Sequence, residues 1–258
     1  ADNVKISSSG ESDLDLSCLD VIDGNLEIDL TGANNIDLSN VESVGDSVNI
    51  HDNYETEVID LSSLKTIGSG LTLSSNQDLE ELTLTSLETI EGQLYLNSNN
   101  NLNSLSAPSL STIEGSIQMN SNNGIEEVQF DNLEVVEGEM RFEWNNYLQT
   151  LSMPSLTTLD GQLYLYYNER LETIHLDQLT EIGSSVQIQN NYAIEELSLP
   201  ELITVNGSLY LYSLNQVSEI SLPALEEVNG SFTMSNMSKV ELLSAPALYD
   251  LSGSLTIR

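Results

Sequence analysis

Aromatic and amide side chains recur at one place in the register of this chain, and the chemistry open to them is stacking against a ligand. Steps of 23 residues from Thr72 reach Tyr95, Gln118, Arg141, Tyr164, Gln187, Tyr210 and Thr233. Trp144, Tyr166, Tyr167 and Tyr212 lie within three residues of members of that series. If copies of one unit stack in register, Arg141, Trp144, Tyr164, Tyr166, Tyr210 and Tyr212 fall on one sheet face over about four units. Tyr95, Arg141, Trp144, Tyr164, Tyr166, Tyr167, Tyr210 and Tyr212 are therefore the candidate ligand-binding residues. Exposed rings beside amides suit sugar rings or a protein partner. The same rings could instead stabilise a sheet face by cross-strand pairing, and the sequence leaves both open. Arg141 stands between Glu139 and Glu143, where a local ion pair is its first expected role.

A second series is acidic. Glu91, Glu114, Glu137 and Asp160 precede a glycine in four successive units. Like charges so close repel unless screened or bridged, and calcium accepts carboxylate oxygens. They are a weak calcium candidate, because no D-x-D-x-D-G loop accompanies them; no other cofactor is indicated. Asn206, Asn229 and Asn236 open N-x-S sequons and are glycosylation candidates; the first two also fit a plain Asn-Gly turn. Catalysis finds little support. His51 and His175 are far apart and match no nucleophile or metal motif. A glycosidase would need two carboxyls facing each other across a cleft, which a regular rod does not offer. The chain is expected to be non-enzymatic, with a carbohydrate-active enzyme as the remote alternative.

The elements that must carry these residues are legible from a strict repeat. Val48, Leu71, Leu94, Ile117, Met140, Leu163, Val186, Leu209, Phe232 and Leu255 are spaced by 23, and Leu26 and Val4 extend the series at 22. Each is followed two residues later by another apolar residue, the period of a strand with one buried face. A second apolar pair (Leu82 and Leu84) and an apolar corner (Leu87 and Ile90) complete the unit, and no part of it can hold an amphipathic helix. Such a repeat means copies stacked on one another. The expected fold is all-β, a parallel β-solenoid of about eleven 23-residue coils. At roughly 4.8 Å per coil its twelve first strands make a rod on the order of 50 Å long.

Corner residues repeat too. Asn53, Asn76, Asn99, Asn122, Asn145, Asn168 and Asn191 hold one position in seven coils, then give way to Leu214 and Met237. An amide turned inward there can satisfy buried backbone groups. Glycines such as Gly115, Gly138 and Gly161 recur two residues before a strand, where a turn with positive φ is expected. All five prolines share one position, just past the second strand, where no ladder bond is lost.

Composition narrows the partners. Among 258 residues, 41 are acidic and 6 basic, for a net charge of −35. Nucleic-acid binding rests on Lys and Arg neutralising phosphates, and anionic membranes ask for the same, so both are disfavoured. No run of 18 apolar residues offers a membrane-spanning helix. Residues 1–25 are read as a first strand and cap, with a short helical cap over residues 10–19, and residues 26–258 as the solenoid proper. The numbering opens at Ala1 in a strand-like segment, as in a processed chain. The chain stops within a strand at Arg258, where continuation of the native chain is expected and self-association through the open edge is the alternative.

Residues 18–28 (CLDVIDGNLEI) fit C-x-x-x-I-x-G-x-L-x-I, and this segment resembles the entry to a receptor L domain, the leucine-rich β-helix of insulin- and EGF-receptor ectodomains. The following G-x-L-x-L-x-x-N-x-x-L-x-x-L-x-L-P-x-L units are similar to fungal GPI-anchored cell-wall proteins of the extracellular-mutant and sporulation-specific type. The resemblance covers residues 4–257 and implies a right-handed solenoid and an extracellular cell-surface or wall protein. It implies a cap role for Cys18, normally in a disulfide; this chain has no second cysteine. The expected function is a rigid binding scaffold for adhesion or for glycan or protein recognition, the alternative a structural subunit of an extracellular filament or layer.

Overall fold

The computed structural model describes residues 2–7, 13–29 and 32–258, which contain strands and turns and no helix. The chain winds through about eleven coils into a parallel β-solenoid with three faces. The front face is a single 12-stranded sheet, running from Val4–Ser7 through Leu71–Ser74 to Leu255–Ile257. Its register keeps like on like: Leu71 lies opposite Val48 on one side and Leu94 on the other. A slip of one residue would turn Leu71 and Leu73 out and Thr72 in, so alternation locks the stack.

The third face, where an apolar corner was expected, is a sheet in its own right. Eleven two-residue strands stack from Val21–Ile22 to Asp250–Leu251. The second face is not continuous. It falls into sheets of four, four and three strands, with breaks between Glu81–Thr83 and Ser104–Ser106 and between Thr173–His175 and Glu196–Ser198. The inner residues of all three faces fill one core of Leu, Ile and Val, with Phe130, Phe142 and Phe232 as its largest members.

The bend after nine consecutive front strands, from Val48–His51 to Phe232–Ser235, is made by a residue in the left-handed region. Asp52, Ser75, Ser98, Ser121, Asn190, Ser213 and Asn236 have φ between 53° and 58°, and so do Trp144 and Tyr167. In seven coils the residue after this bend is the ladder asparagine, which the bend turns inward. Asn76, Asn99, Asn122 and Asn145 are fully buried. Each Oδ1 accepts the backbone N–H of the asparagine one coil earlier, as in Asn99 N to Asn122 Oδ1 at 3.0 Å. Each Nδ2 donates to a strand carbonyl, as in Asn122 to Leu96 at 3.1 Å.

Two expectations are corrected. The recurrent glycines do not sit at positive φ; they lie where one turn approaches the next. A Cβ on Gly161 would come within 2.4 Å of the Gly138 carbonyl oxygen, and the Gly161 N–H donates to that same oxygen at 3.0 Å. The helical cap is also absent where residues 10–19 are described. Asp13–Asp15 is a strand paired with Asn35–Asp37, with Leu14 opposite Ile36. Its alternation continues the second-face ladder, and pairing wins over helix. Asp15 then closes a turn by accepting from the Ser17 backbone N–H and hydroxyl at 3.0 and 2.6 Å, bonds that hold its carboxyl below the usual range. Residues 10–12 lie outside the described residues. Cys18 is exposed, with a free thiol.

Candidate functional site

The front sheet gathers aromatic side chains over three adjacent coils. Strand pairing sets Arg141 beside Tyr164 and Glu143 beside Tyr166, while Phe142 points into the core behind them. The Arg141 guanidinium lies 4.3 Å from the Tyr164 ring centre, and its Nη2 is 3.4 Å from Glu143 Oε1. The expected ion pair is thus formed together with a cation–π contact. Burial, then the Glu143 charge, pushes the Tyr164 hydroxyl up from its ordinary pKa.

Next to this pair the chain turns through Trp144 and Tyr167. Their rings stack with centroids 4.3 Å apart and planes 6° apart. Tyr166 stands edge-on to both, at 5.7 Å from Trp144 and 4.6 Å from Tyr167, and Tyr164 leans on Tyr166 at 5.7 Å. Trp144 remains 45% exposed.

One member of the cluster, Tyr192, and a separate cation–π pair, Arg170 with Tyr147, escape a count based on strand positions alone. Tyr192 meets Tyr167 edge-on at 6.5 Å, and the Arg170 guanidinium lies 4.1 Å from the Tyr147 ring centre. Tyr147, Arg170 and Tyr192 follow ladder asparagines by one or two residues, so extending the 23-residue count past the bend would have found them. Conversely, Tyr95, Tyr210 and Tyr212 share the face but make no ring contact with the cluster among the described residues. Tyr95 is two strands away across Gln118. Tyr210 and Tyr212 lie beyond Gln187 and Gln189 and line a shallow hollow of about 280 Å³.

The acids Glu91, Glu114, Glu137 and Asp160 are exposed on successive turns. The carboxylate and imidazole groups that do converge, among the described residues, are Glu27, Asp29 and His51, whose ligand-type atoms lie within 4.8 Å of one another. Strand register opposes Asp29 to His51, a pairing that spacing by 22 could have disclosed. The Lys5 ammonium sits 2.7 Å from Glu27 and 3.5 Å from Asp29 and supplies their counter-charge. Asn206, Asn229 and Asn236 are exposed; Asn229 donates to Asn206 at 3.1 Å and Asn206 to Glu181 at 2.7 Å.

The ion pairs of the first coils set a pH dependence. Hydrogen bonding from Ser7, with help from the Lys5 charge, holds the Asp29 carboxyl below its ordinary value, and Lys65 does the same for Glu42. Hydrogen bonds to Glu27 and Glu42 hold Lys5 and Lys65 above 10.5. A depressed carboxyl favours the folded chain above about pH 4, and that contribution fades as the pH falls through the lowered folded value. A raised ammonium favours it below its ordinary value and fades as the pH rises through the raised one. Hydrogen exchange of Leu26–Asp29 should therefore quicken, relative to the middle coils, below about pH 4. Lys5→Met should flatten that dependence, and an unchanged profile in the variant would remove Lys5 from the account.

The sequence model of the receptor L domain family matches residues 18–108. That stretch spans the N-terminal coils and ends before the aromatic cluster. No curated protein and no solved structure matches the chain.

Proposed function

We propose that this protein is a non-catalytic extracellular binding scaffold, displayed at a cell surface or in a wall, whose ligand contacts the aromatic cluster around Trp144 and Tyr167. The match to a receptor L domain supports a ligand-binding scaffold, and the resemblance of the repeats to fungal wall proteins supports the location. One observation carries the site assignment. Trp144 and Tyr167 occupy a left-handed position that seven other coils fill with Asp, Ser or Asn. Positive φ is uncommon for any residue with a Cβ and is a genuine outlier for a bulky one; such strain gathers at functional sites. The corner closes without an aromatic ring elsewhere, so its closure does not explain these two. What the rings add is an exposed stacking surface.

Replacing both residues by serine, the residue of Ser75, Ser98 and Ser121, separates the two roles. The W144S/Y167S variant should melt at the wild-type temperature or above, because strain is relieved. Its binding to glycan and peptide arrays should fall at least about tenfold, the scale of losing buried aromatic contacts at a hot spot. Binding equal to wild type, or no wild-type signal on either array, would sink the assignment.

A further inference from the structure

A groove opens beside the aromatic cluster, at the second break of the second face. In neighbouring coils the ladder continues into the turn: the Glu172 N–H donates to the Gln149 carbonyl at 2.9 Å, and the Ser218 N–H to the Glu195 carbonyl at 2.9 Å. Between these, the corresponding bond from Glu195 to Glu172 is not formed among the described residues. The parted strands, Thr173–His175 and Glu196–Ser198, bound a cavity of about 760 Å³.

Its walls define an occupant. The floor carries an apolar spot amid polar residues that include Thr173, His175 and Ser198: Ile174 is partly exposed there, whereas its ladder equivalents Val128, Leu151 and Ile220 are fully buried. One end is aromatic, formed by Tyr192, whose ring also touches Tyr167 of the stacked pair. The rims are acidic, with Glu169, Glu172, Asp177, Glu195 and Glu196 among the lining residues and no Lys or Arg. None of these carboxylates has a Lys or Arg ion-pair partner among the described residues. Arg170, next to Glu169 in sequence, lies instead over Tyr147. The first break differs: its cavity is about 330 Å³, and no aromatic residue lines it.

An apolar spot at Ile174 with an aromatic end and negative rims matches long basic side chains, which lay their aliphatic stems on apolar surface and keep the cation at the polar edge. Guanidinium and ammonium groups also favour aromatic faces and carboxylates. We propose that this groove takes a basic segment of a partner protein, seating Arg or Lys stems on Ile174 and Tyr192 with their cations among Glu172, Glu195 and Glu196. This deepens the scaffold reading by naming the partner's chemistry. It rests on the protein being a binding scaffold and not on the stacked Trp144–Tyr167 pair being the primary contact.

The test uses the whole chain and a synthetic peptide of alternating Arg and Gly, titrated by calorimetry at about 0.15 M salt, where long-range attraction to a net-negative protein is screened. The triple variant E172Q/E195Q/E196Q should weaken binding at least about tenfold, as loss of close charge partners does. The control E114Q/E137Q/D160N removes the same number of charges from a distant row and should change affinity less than about twofold. Equal weakening by both variants would reduce the effect to net charge and overturn the proposal. So would failure of the peptide to bind the wild type, or tighter binding of an oligo-glucosamine, which would assign the groove to an amino-sugar polymer. Loss of peptide binding in W144S/Y167S alone, with the groove variant unaffected, would overturn the groove while leaving the scaffold reading intact. Circular dichroism of each variant confirms that the fold is retained.

Discussion

Asn122→Ala is expected to destabilise the protein by about 3–5 kcal/mol, because the side chain serves buried groups in three coils at once. Its Oδ1 accepts the Asn99 backbone N–H at 3.0 Å and the Asn99 Nδ2 at 3.1 Å. Its own Nδ2 reaches the Leu96 carbonyl at 3.1 Å and Asn145 Oδ1 at 3.3 Å. Alanine removes all of these and admits no water to replace them, since Asn99, Asn122 and Asn145 are all fully buried. Leaving a buried donor without an acceptor costs more than the bond contributed. In a chain where each coil contacts only its neighbours the damage should be local. Urea unfolding would give the magnitude, and hydrogen exchange should show protection lost mainly between Leu94–Asn97 and Met140–Glu143. Asn122→Asp should cost at least as much, since it buries a carboxylate in a chain of net charge −35. A loss under about 1 kcal/mol in Asn122→Ala would mean that the ladder does not hold the corner.

Gly161→Ala should be of similar severity for a different reason. The new methyl carbon would lie 2.4 Å from the Gly138 carbonyl oxygen and 2.5 Å from both the Gly138 carbonyl carbon and the Glu139 nitrogen. All three are backbone atoms of the preceding turn, so no side chain can yield. Relief requires the two turns to separate, which breaks the 3.0 Å bond from Gly161 to Gly138 and strains the adjoining third-face strands, Val135–Val136 and Thr158–Leu159. Overpacking of this kind costs on the order of 3 kcal/mol. Gly70→Ala is the control. Its added carbon would approach nothing closer than 3.1 Å, the Gln93 carbonyl oxygen, which a shift of a few tenths of an ångström relieves, and its melting temperature should fall far less than that of Gly161→Ala. If the two variants melt together, close approach is not what glycine provides at position 161.

These two variants also mark how far the sequence could be read. The repeat disclosed the front strands, their register and the inward asparagines, because a buried position repeats its residue type when every coil offers it the same surroundings. Glycine's recurrence was equally visible, but its cause was not. A turn with positive φ and a close turn-to-turn approach both select glycine, and only coordinates distinguish them. The left-handed residues proved to be at the other bend, where serine, aspartate and asparagine serve, and where two aromatic residues stand out.

The candidate site was legible in part for the same reason. Counting by 23 placed Arg141, Trp144, Tyr164, Tyr166 and Tyr167 on one face, and those five do meet in three dimensions. It also placed Tyr95, Tyr210 and Tyr212 there, which stand apart, because sharing a face does not bring rings across an intervening Gln118 or Gln187 into contact. Tyr147, Arg170 and Tyr192 went unnoticed because they lie past the bend, outside the strand pattern.

What the sequence by itself determined is therefore the solenoid: its period, the two apolar strand pairs and third apolar segment of each coil, and its asparagine ladder, all consequences of identical coils burying identical positions. The tertiary structure decided the rest. It decided which long side chains touch, that Lys5 answers Glu27 and Asp29, and that the second face parts between Thr173–His175 and Glu196–Ser198 although the 23-residue spacing runs through the break unchanged. A period records which residues face inward. It does not record how far apart two stacked backbones settle or where an exposed side chain comes to rest, and the candidate binding surfaces depend on both.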